Sequence, residues 1–271
     1  MQREVITSAA NPLIKRIRAL EQRKYREQER ALFVEGIQPV LEAIRSRAEI
    51  ETLILAPELL TSEAAQSSIE QQRAAGARIA EVTRRVFESI AEREHPSGLA
   101  AIVHLSSQKL DDLSVTAQSI FVGLYEVSNP GNLGTIIRTA DAVGASGIIL
   151  IGETTDPYHP TAVKASRGAL FTVPIAHVNN FEELLAWGRA QDVTCVATSS
   201  RARLDYWSVE YSLPTLILFG SEGKGLPEAL LGDEMTLIKI PMTGTGDSLN
   251  LAVSVGVMLY ELKRKQRLSS K

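Results

Sequence analysis

An α/β protein of two domains is predicted, with the second and larger domain built on a mostly parallel sheet. Three observations predict it. Short apolar runs alternate with helical patterns along the chain, the later runs are apolar throughout rather than at every second residue, and one polar stretch, SSQKLDDLS over Ser106–Ser114, interrupts the alternation. Continuously apolar strands are those buried on both faces, as crossover helices bury them in a parallel sheet. The 271 residues, 44% hydrophobic and 23% charged, suffice for one large domain or two small ones. The boundary is placed near residue 110, giving a first domain over 1–105, a linker over 106–118 and a second domain over 119–271.

In the first domain, residues 11–30 read as one helix. Leu13, Ile14, Ile17 and Leu20 recur at three- and four-residue steps behind Asn11, a cap, and Pro12, a first-turn residue. Strands are then predicted over Leu32–Glu35, Ile50–Leu55, Arg78–Val82 and Leu99–His104. Helices are predicted over Ile37–Ser46, Glu63–Ala74 and Arg84–Ala91. In the second domain the strand runs are SIFVGLYEV, GIILIG, VPIAHV, VTCVAT, TLILFG and MTLIKI, with helices over Thr135–Val143 and from Leu249 to about Lys265.

The net charge of −3 argues against an indiscriminate nucleic-acid binder, but its distribution is uneven. Residues 1–30 hold eight cations (Arg3, Lys15, Arg16, Arg18, Arg23, Lys24, Arg26, Arg30) against four Glu, and basic residues return at Lys263, Arg264, Lys265, Arg267 and Lys271. Mixed signs in EQRKYREQER fit a solvated helix face as well as phosphate contact. No run approaches the roughly 20 apolar residues of a membrane span, and the start lacks the apolar core of a secretory signal, so the protein is expected in the cytoplasm. Cys195 has no second cysteine to pair with, and the four histidines are scattered, so no metal site is expected.

Ligands of parallel sheets gather at the carboxyl ends of the strands, and three Gly/Asn/Ser-rich segments lie there. In the first, YEVSNPGNLGTIIRTADAVGA, a turn containing Asn129, Gly131, Asn132 and Gly134 leads into a helix carrying Arg138. Counted from Gly134, Arg138 lies one turn in and can point back to the loop. A tight turn and an ordinary surface arginine would look the same. The second, TLILFGSEGKGLP, fails the Walker pattern, because Leu218 stands where its first glycine belongs and Gly225 follows Lys224. It fails the dinucleotide spacing too, since its order is Gly-x-x-Gly-x-Gly. What remains is a glycine loop with one carboxylate, Glu222, at a strand end, which a hairpin or a helix entry would also explain. In the third, IKIPMTGTGDSLN, Ser248 reads as a helix cap. Ala252, Ser254 and Gly256 beyond it would allow close packing against another backbone.

Taken in order, Asn129-x-Gly131-Asn132-x-Gly134…Arg138, Phe219-Gly-Ser-Glu-Gly-x-Gly225 and Ile240-Pro-Met242…Ser248-Leu-Asn250 resemble the SpoU/TrmH RNA 2′-O-ribose methyltransferases of the SPOUT superfamily, over about Ser119–Lys265. Leu32–Ile44 and His95–Val103 are similar to that family's ribosomal-protein-like substrate-binding domain. The resemblance implies a deep trefoil knot in the second domain and S-adenosylmethionine as cofactor, bound around Thr198, Leu218, Gly220, Gly223, Ile240, Met242 and Leu249. It puts Arg138 at the target hydroxyl, with Asn132, Glu222, Ser248 and Asn250 completing the pocket. It implies a homodimer through the knotted domain and an RNA partner. Ribosomal RNA of the large subunit is favoured and transfer RNA is the alternative; neither a metal nor a membrane is implied. The other readings are a non-catalytic RNA-binding relative of the family and a doubly wound nicotinamide or nucleotide enzyme, and the latter lacks the glycine spacing.

Overall fold

The computed structural model describes residues 5–92, 94–106, 108–228 and 235–269, so Arg3 and Lys271 among the cations counted above lie outside the described residues. The chain forms two compact units. One is Met1–Ser106 with Tyr158–Thr172, the other Ser107–Pro157 with Val173–Lys271.

In the first unit the order is α1 (Pro12–Ala19), α2 (Arg23–Glu29), β1 (Ala31–Glu35), α3 (Ile37–Arg45), β2 (Ile50–Leu55), α4 (Glu63–Ala74), β3 (Ile79–Glu81), α5 (Arg84–Glu88) and β4 (Leu99–His104). The sheet order is β1-β4-β2-β3, with β4 antiparallel to both neighbours and β2 parallel to β3. Ile14, Ile17 and Leu20 of the first helical stretch bury against Val86, Phe87 and Ile102.

The single helix predicted over residues 11–30 is two helices. The cause is Arg26, only 2% exposed, whose guanidinium turns back to donate to the carbonyls of Leu20 (2.9 Å) and Glu21 (2.6 Å). A charged donor thereby satisfies carbonyls that a continuous helix would have bonded internally. Other cations of this stretch are also engaged within the unit. Arg16 forks onto Glu51 (2.5 and 2.7 Å) and reaches Glu29 (2.5 Å), Arg18 donates to Ser89, and Arg23 pairs with Glu27. Their charge is partly spent on structure before any partner arrives.

In the second unit, β5 (Ile120–Tyr125), α6 (Pro130–Val143) and β6 (Gly147–Ile151) come first. After α7 (Pro160–Ser166), which belongs to the first unit, follow β7 (Ile175–Val178), α8 (Phe181–Ala190), β8 (Thr194–Thr198), β9 (Leu204–Asp205), β10 (Thr215–Phe219), β11 (Thr236–Lys239) and α9 (Leu251–Ser269). The seven strands run β7-β6-β5-β10-β8-β11-β9, and every pairing is parallel. The predicted parallel sheet is therefore what forms. Every residue of β6 and β10 is buried, so both faces are covered, and Phe121, Leu216 and Leu218 pack with Trp187 on one of them. A fully parallel sheet brings Tyr125, Thr198, Phe219 and Lys239 to one edge, which is where a ligand can meet several loops at once.

Helix α9 packs on α6 in the same chain, burying Ala252, Val255, Met258, Leu259 and Leu262. A Cβ on Gly256 would stand 3.8 Å from the Thr139 methyl, an ordinary contact, so this packing does not demand glycine there. Among the described residues no helix is long and apolar enough to cross a membrane.

Arg26→Leu would leave the Leu20 and Glu21 carbonyls without their charged donor. It is expected to cost about 2–3 kcal/mol, read as a lower midpoint in urea followed by circular dichroism, whereas Arg23→Leu at the exposed Arg23–Glu27 pair should cost less than about 0.5 kcal/mol.

Candidate functional site

Helix α6 starts earlier than the glycines imply. The Asn129 side chain accepts from the Gly131 N–H (2.8 Å) and the Asn132 N–H (3.1 Å), and Pro130 fills the first helical position, where no N–H is needed. Gly131 and Gly134 thus lie inside the helix, and neither has a positive φ. The turn predicted over these residues is a capped helix start. Arg138 consequently lies about two turns into α6 rather than one. Its side chain is exposed and has no hydrogen bond or ion pair among the described residues, so nothing draws it back to the loop.

Asn132, in the first turn, faces the other two segments. Its Nδ2 donates to Glu222 Oε1 at 3.2 Å, and its Oδ1 accepts from Asn250 Nδ2 at 3.0 Å. The amide carries a donor and an acceptor on one planar group and so does both at once. Glu222 Oε2 also accepts from the Ser128 N–H and hydroxyl, each at 3.3 Å, and Oε1 from the Asn129 N–H at 3.4 Å. Partial burial opposes the charge on Glu222. Hydrogen bonds from its own backbone, from the Asn132 amide and from the Ser128 and Asn129 backbone outweigh that and hold the carboxyl below its ordinary range.

The loop presenting Glu222 is a hairpin. Ser221 N–H donates to the Gly225 carbonyl (3.3 Å), Gly225 N–H to the Ser221 carbonyl (3.0 Å) and Lys224 N–H to Ser221 Oγ (3.3 Å). Its closure demands glycine at two places. A Cβ on Gly220 would lie 2.0 Å from the Gly225 carbonyl carbon and 2.2 Å from the Leu226 nitrogen, and Gly225 has φ +69°. Around Gly223 there is open space.

The cap of α9 is Asn250, not Ser248. Asn250 Oδ1 accepts from the Ala252 N–H (2.9 Å) and the Val253 N–H (3.4 Å) while its Nδ2 reaches Asn132. An amide can accept from a helix end with its oxygen and donate elsewhere with its nitrogen, so the helix starts two residues later than predicted. Ser248 is exposed, without a hydrogen bond among the described residues. At the sheet edge, Thr198 Oγ1 donates to the Leu218 carbonyl (2.9 Å), joining β8 to β10. Ile240, Met242 and Leu249 follow β11, and Met242 is exposed.

Asn132, Glu222 and Asn250 are therefore in direct contact, Thr198 and Leu218 form a second pair, and Arg138 and Ser248 join neither. Sequence reasoning did not single out Ser128 or Asn129 as groups that hold Glu222. The cap position of Asn129 was the available signal.

Compared with known proteins, residues 119–260 match the model of the SpoU rRNA Methylase family and residues 11–101 that of the MRM3-like substrate binding domain. An AdoMet-bound rRNA methyltransferase from Sinorhizobium meliloti superposes with a TM-score of 0.87 at 39% identity, covering 96% of this chain and 97% of its own. The 23S rRNA (uridine(2479)-2′-O)-methyltransferase of Streptomyces viridochromogenes is 31% identical, over 88% of this chain and 84% of the relative. The 23S rRNA (guanosine(2553)-2′-O)-methyltransferase RlmP of Bacillus subtilis is 27% identical, over 95% and 98%.

Because its carboxyl titrates below the ordinary range when folded, Glu222 contributes stability at neutral pH that is lost as pH falls through its folded-state value. Asn132→Asp should reverse the sign by facing Glu222 with a second carboxylate. The variant is expected to lose about 1–3 kcal/mol at pH 7 and to regain part of it on acidification, while Asn132→Ala loses stability with no such recovery; unfolding midpoints between pH 4 and 8 discriminate them.

Proposed function

The chain belongs to the SpoU rRNA Methylase family and is an S-adenosylmethionine-dependent RNA 2′-O-ribose methyltransferase, and we propose that large-subunit ribosomal RNA is its substrate. The contact of Asn132 with both Glu222 and Asn250 carries the reading of the site, because it gathers the three segments at the carboxyl edge of the sheet, and the similarity to two 23S rRNA 2′-O-methyltransferases supports the substrate.

The donor set there fits the cofactor. Strand ends and glycine loops offer main-chain groups with little side-chain bulk, Gly220 admits no side chain, and the space around Gly223 is open. Thr198, Leu218, Gly220, Gly223, Ile240, Met242 and Leu249 would hold it. When bound, S-adenosylmethionine supplies an electrophilic methyl group on a sulfonium. The protein's part is then to align a ribose oxygen and to receive its proton. Asn132, Glu222 and Asn250 keep the pocket walls fixed, and Ser248 and Arg138 remain exposed to meet the RNA. A guanidinium holds its proton too tightly to be a good base. Arg138 instead grips a phosphate and the hydroxyl, lowering the hydroxyl's pKa, and the proton leaves to phosphate or water. The need for a 2′-hydroxyl selects RNA over DNA by chemistry alone.

The family's trefoil knot and homodimer belong to the same proposal. Insertion of β10 between β5 and β8 is compatible with the knot. The outer face of α9, with Val253 and Tyr260 exposed seven residues apart, supports docking of a second copy there. A ribosomal RNA substrate supports a cytoplasmic location, which is part of the same proposal.

Transfer of labelled methyl from S-adenosylmethionine to large-subunit ribosomal RNA from cells lacking this gene tests the reading; no incorporation at any ribose overturns it. Arg138→Lys, which keeps the charge and loses the fork, is expected to lower turnover at least about a hundredfold, and a near-normal rate would remove Arg138 from the mechanism.

A further inference from the structure

We infer that Trp207, with Arg203 four residues before it in the chain, is a stacking platform for an unpaired base of the substrate RNA close to the ribose that is methylated. The inference rests on the RNA-methyltransferase reading above and names a contact that the reading does not contain.

Position comes first. Strand β9 pairs in parallel with β11, Leu204 opposite Ile238 and Asp205 opposite Lys239, while Ile238 is opposite Thr198 on its other side. Residues 204–205 therefore lie level with the carboxyl ends of β8 and β11, the edge at which Thr198 and Ile240 are proposed to hold the cofactor. The chain leaves β9 through a short 3-10 turn, Tyr206–Ser208, that carries Trp207.

Exposure comes second. Trp207 is 51% exposed and Leu204 49%, whereas the other tryptophan, Trp187, is 6% exposed and packs edge-on to Phe121 at 5.3 Å. The fold thus uses one tryptophan as core and leaves the other in water. Trp207 is also held in place. The Tyr206 ring meets it at 4.9 Å and 61°, Ser208 Oγ donates to the Asp205 carbonyl at 2.7 Å, and the Tyr211 hydroxyl donates to the Tyr206 carbonyl at 2.5 Å. A ring fixed on a braced turn loses little freedom when a base stacks on it.

Charge comes third. Arg201 is committed to Glu228, and Lys239 faces Asp205 at 3.9 Å. Arg203 is exposed and has no hydrogen bond or ion pair among the described residues. An uncommitted guanidinium four residues from an exposed indole matches a base and its own phosphate. A second copy of the chain fits less well, because the exposed charges of Arg203 and Glu210 bracket this apolar pair, Leu204 and Trp207, in the chain and the cores of protein interfaces are depleted of charge.

The test uses the full chain, tritiated S-adenosylmethionine and an unmodified transcript of large-subunit ribosomal RNA. Trp207→Ala is expected to raise KM for RNA about tenfold, with kcat and the affinity for S-adenosylmethionine within about twofold of wild type, and Trp207→Phe to restore most of the loss. Tryptophan fluorescence titrated with a single-stranded RNA oligonucleotide gives an independent readout. Quenching is expected in the wild type and absent in Trp207→Phe, where the buried Trp187 is the remaining emitter. Unchanged KM in Trp207→Ala overturns the inference, as does a KM effect accompanied by dissociation of a dimer in light scattering, which would assign the patch to self-association. If the wild type transfers no methyl group, the functional reading fails by itself; the platform then stands or falls on whether Trp207 is quenched.

Discussion

One side-chain amide ties the candidate site together. Asn132 gives its N–H to Glu222 and its oxygen to Asn250, so that residues 90 and 118 positions apart in the chain meet on a single planar group. Both helices that border the site begin at this point, α6 behind the cap of Asn129 and α9 behind the cap of Asn250. The Glu222 carboxylate accepts hydrogen bonds from its own backbone, from the Asn132 amide and from the Ser128 and Asn129 N–H groups just before α6, which is why it keeps its charge despite partial burial. Loss of any member would release a loop as well as a contact.

The backbone meets this demand through shape. Gly220 lies against the Gly225–Leu226 peptide so closely that no side chain fits, and the hairpin this allows carries Glu222 at its tip. Fixed and free groups then divide the labour. Asn132, Glu222 and Asn250 are mutually satisfied and suited to holding the pocket, whereas Arg138 and Ser248, exposed and without a partner among the described residues, are suited to acting on what enters it. A preorganised frame with a few uncommitted polar groups matches a reaction in which alignment supplies most of the rate.

Much of the fold was legible because burial writes a period into the sequence. Strands β2 and β4 and helix α4 fall at the residues predicted, since their apolar spacing and turn residues agree. Other features are set by tertiary contacts. The break between α1 and α2 depends on Arg26 folding back, which no periodicity encodes. Glycines in Asn-Pro-Gly-Asn outweighed the asparagine cap and first-turn proline that start α6. Between Ser248 and Asn250 both residue types can cap, and the bond to Asn132 selects the asparagine. Residues 158–172, separated from the first unit by more than fifty positions, join it through tertiary contacts, among them the Tyr158 hydroxyl donating to the Ser106 carbonyl at 2.9 Å. As for the site, its residue types and order could be read, but the contact that unites Asn132, Glu222 and Asn250 could not, because spacing along a chain does not fix which amide faces which carboxylate.

Glu222 and Asn250 meet through Asn132, so their energetic coupling reports directly on the bridge. The decisive measurement is a double-mutant cycle of Glu222→Gln and Asn250→Ala, read as the dissociation constant for S-adenosylmethionine by calorimetry. A bridge through Asn132 predicts that the double variant departs from the product of the single effects by about fivefold or more, a coupling of about 1 kcal/mol. Effects that multiply to within about twofold would contradict the account, since the two residues would then act on the site independently.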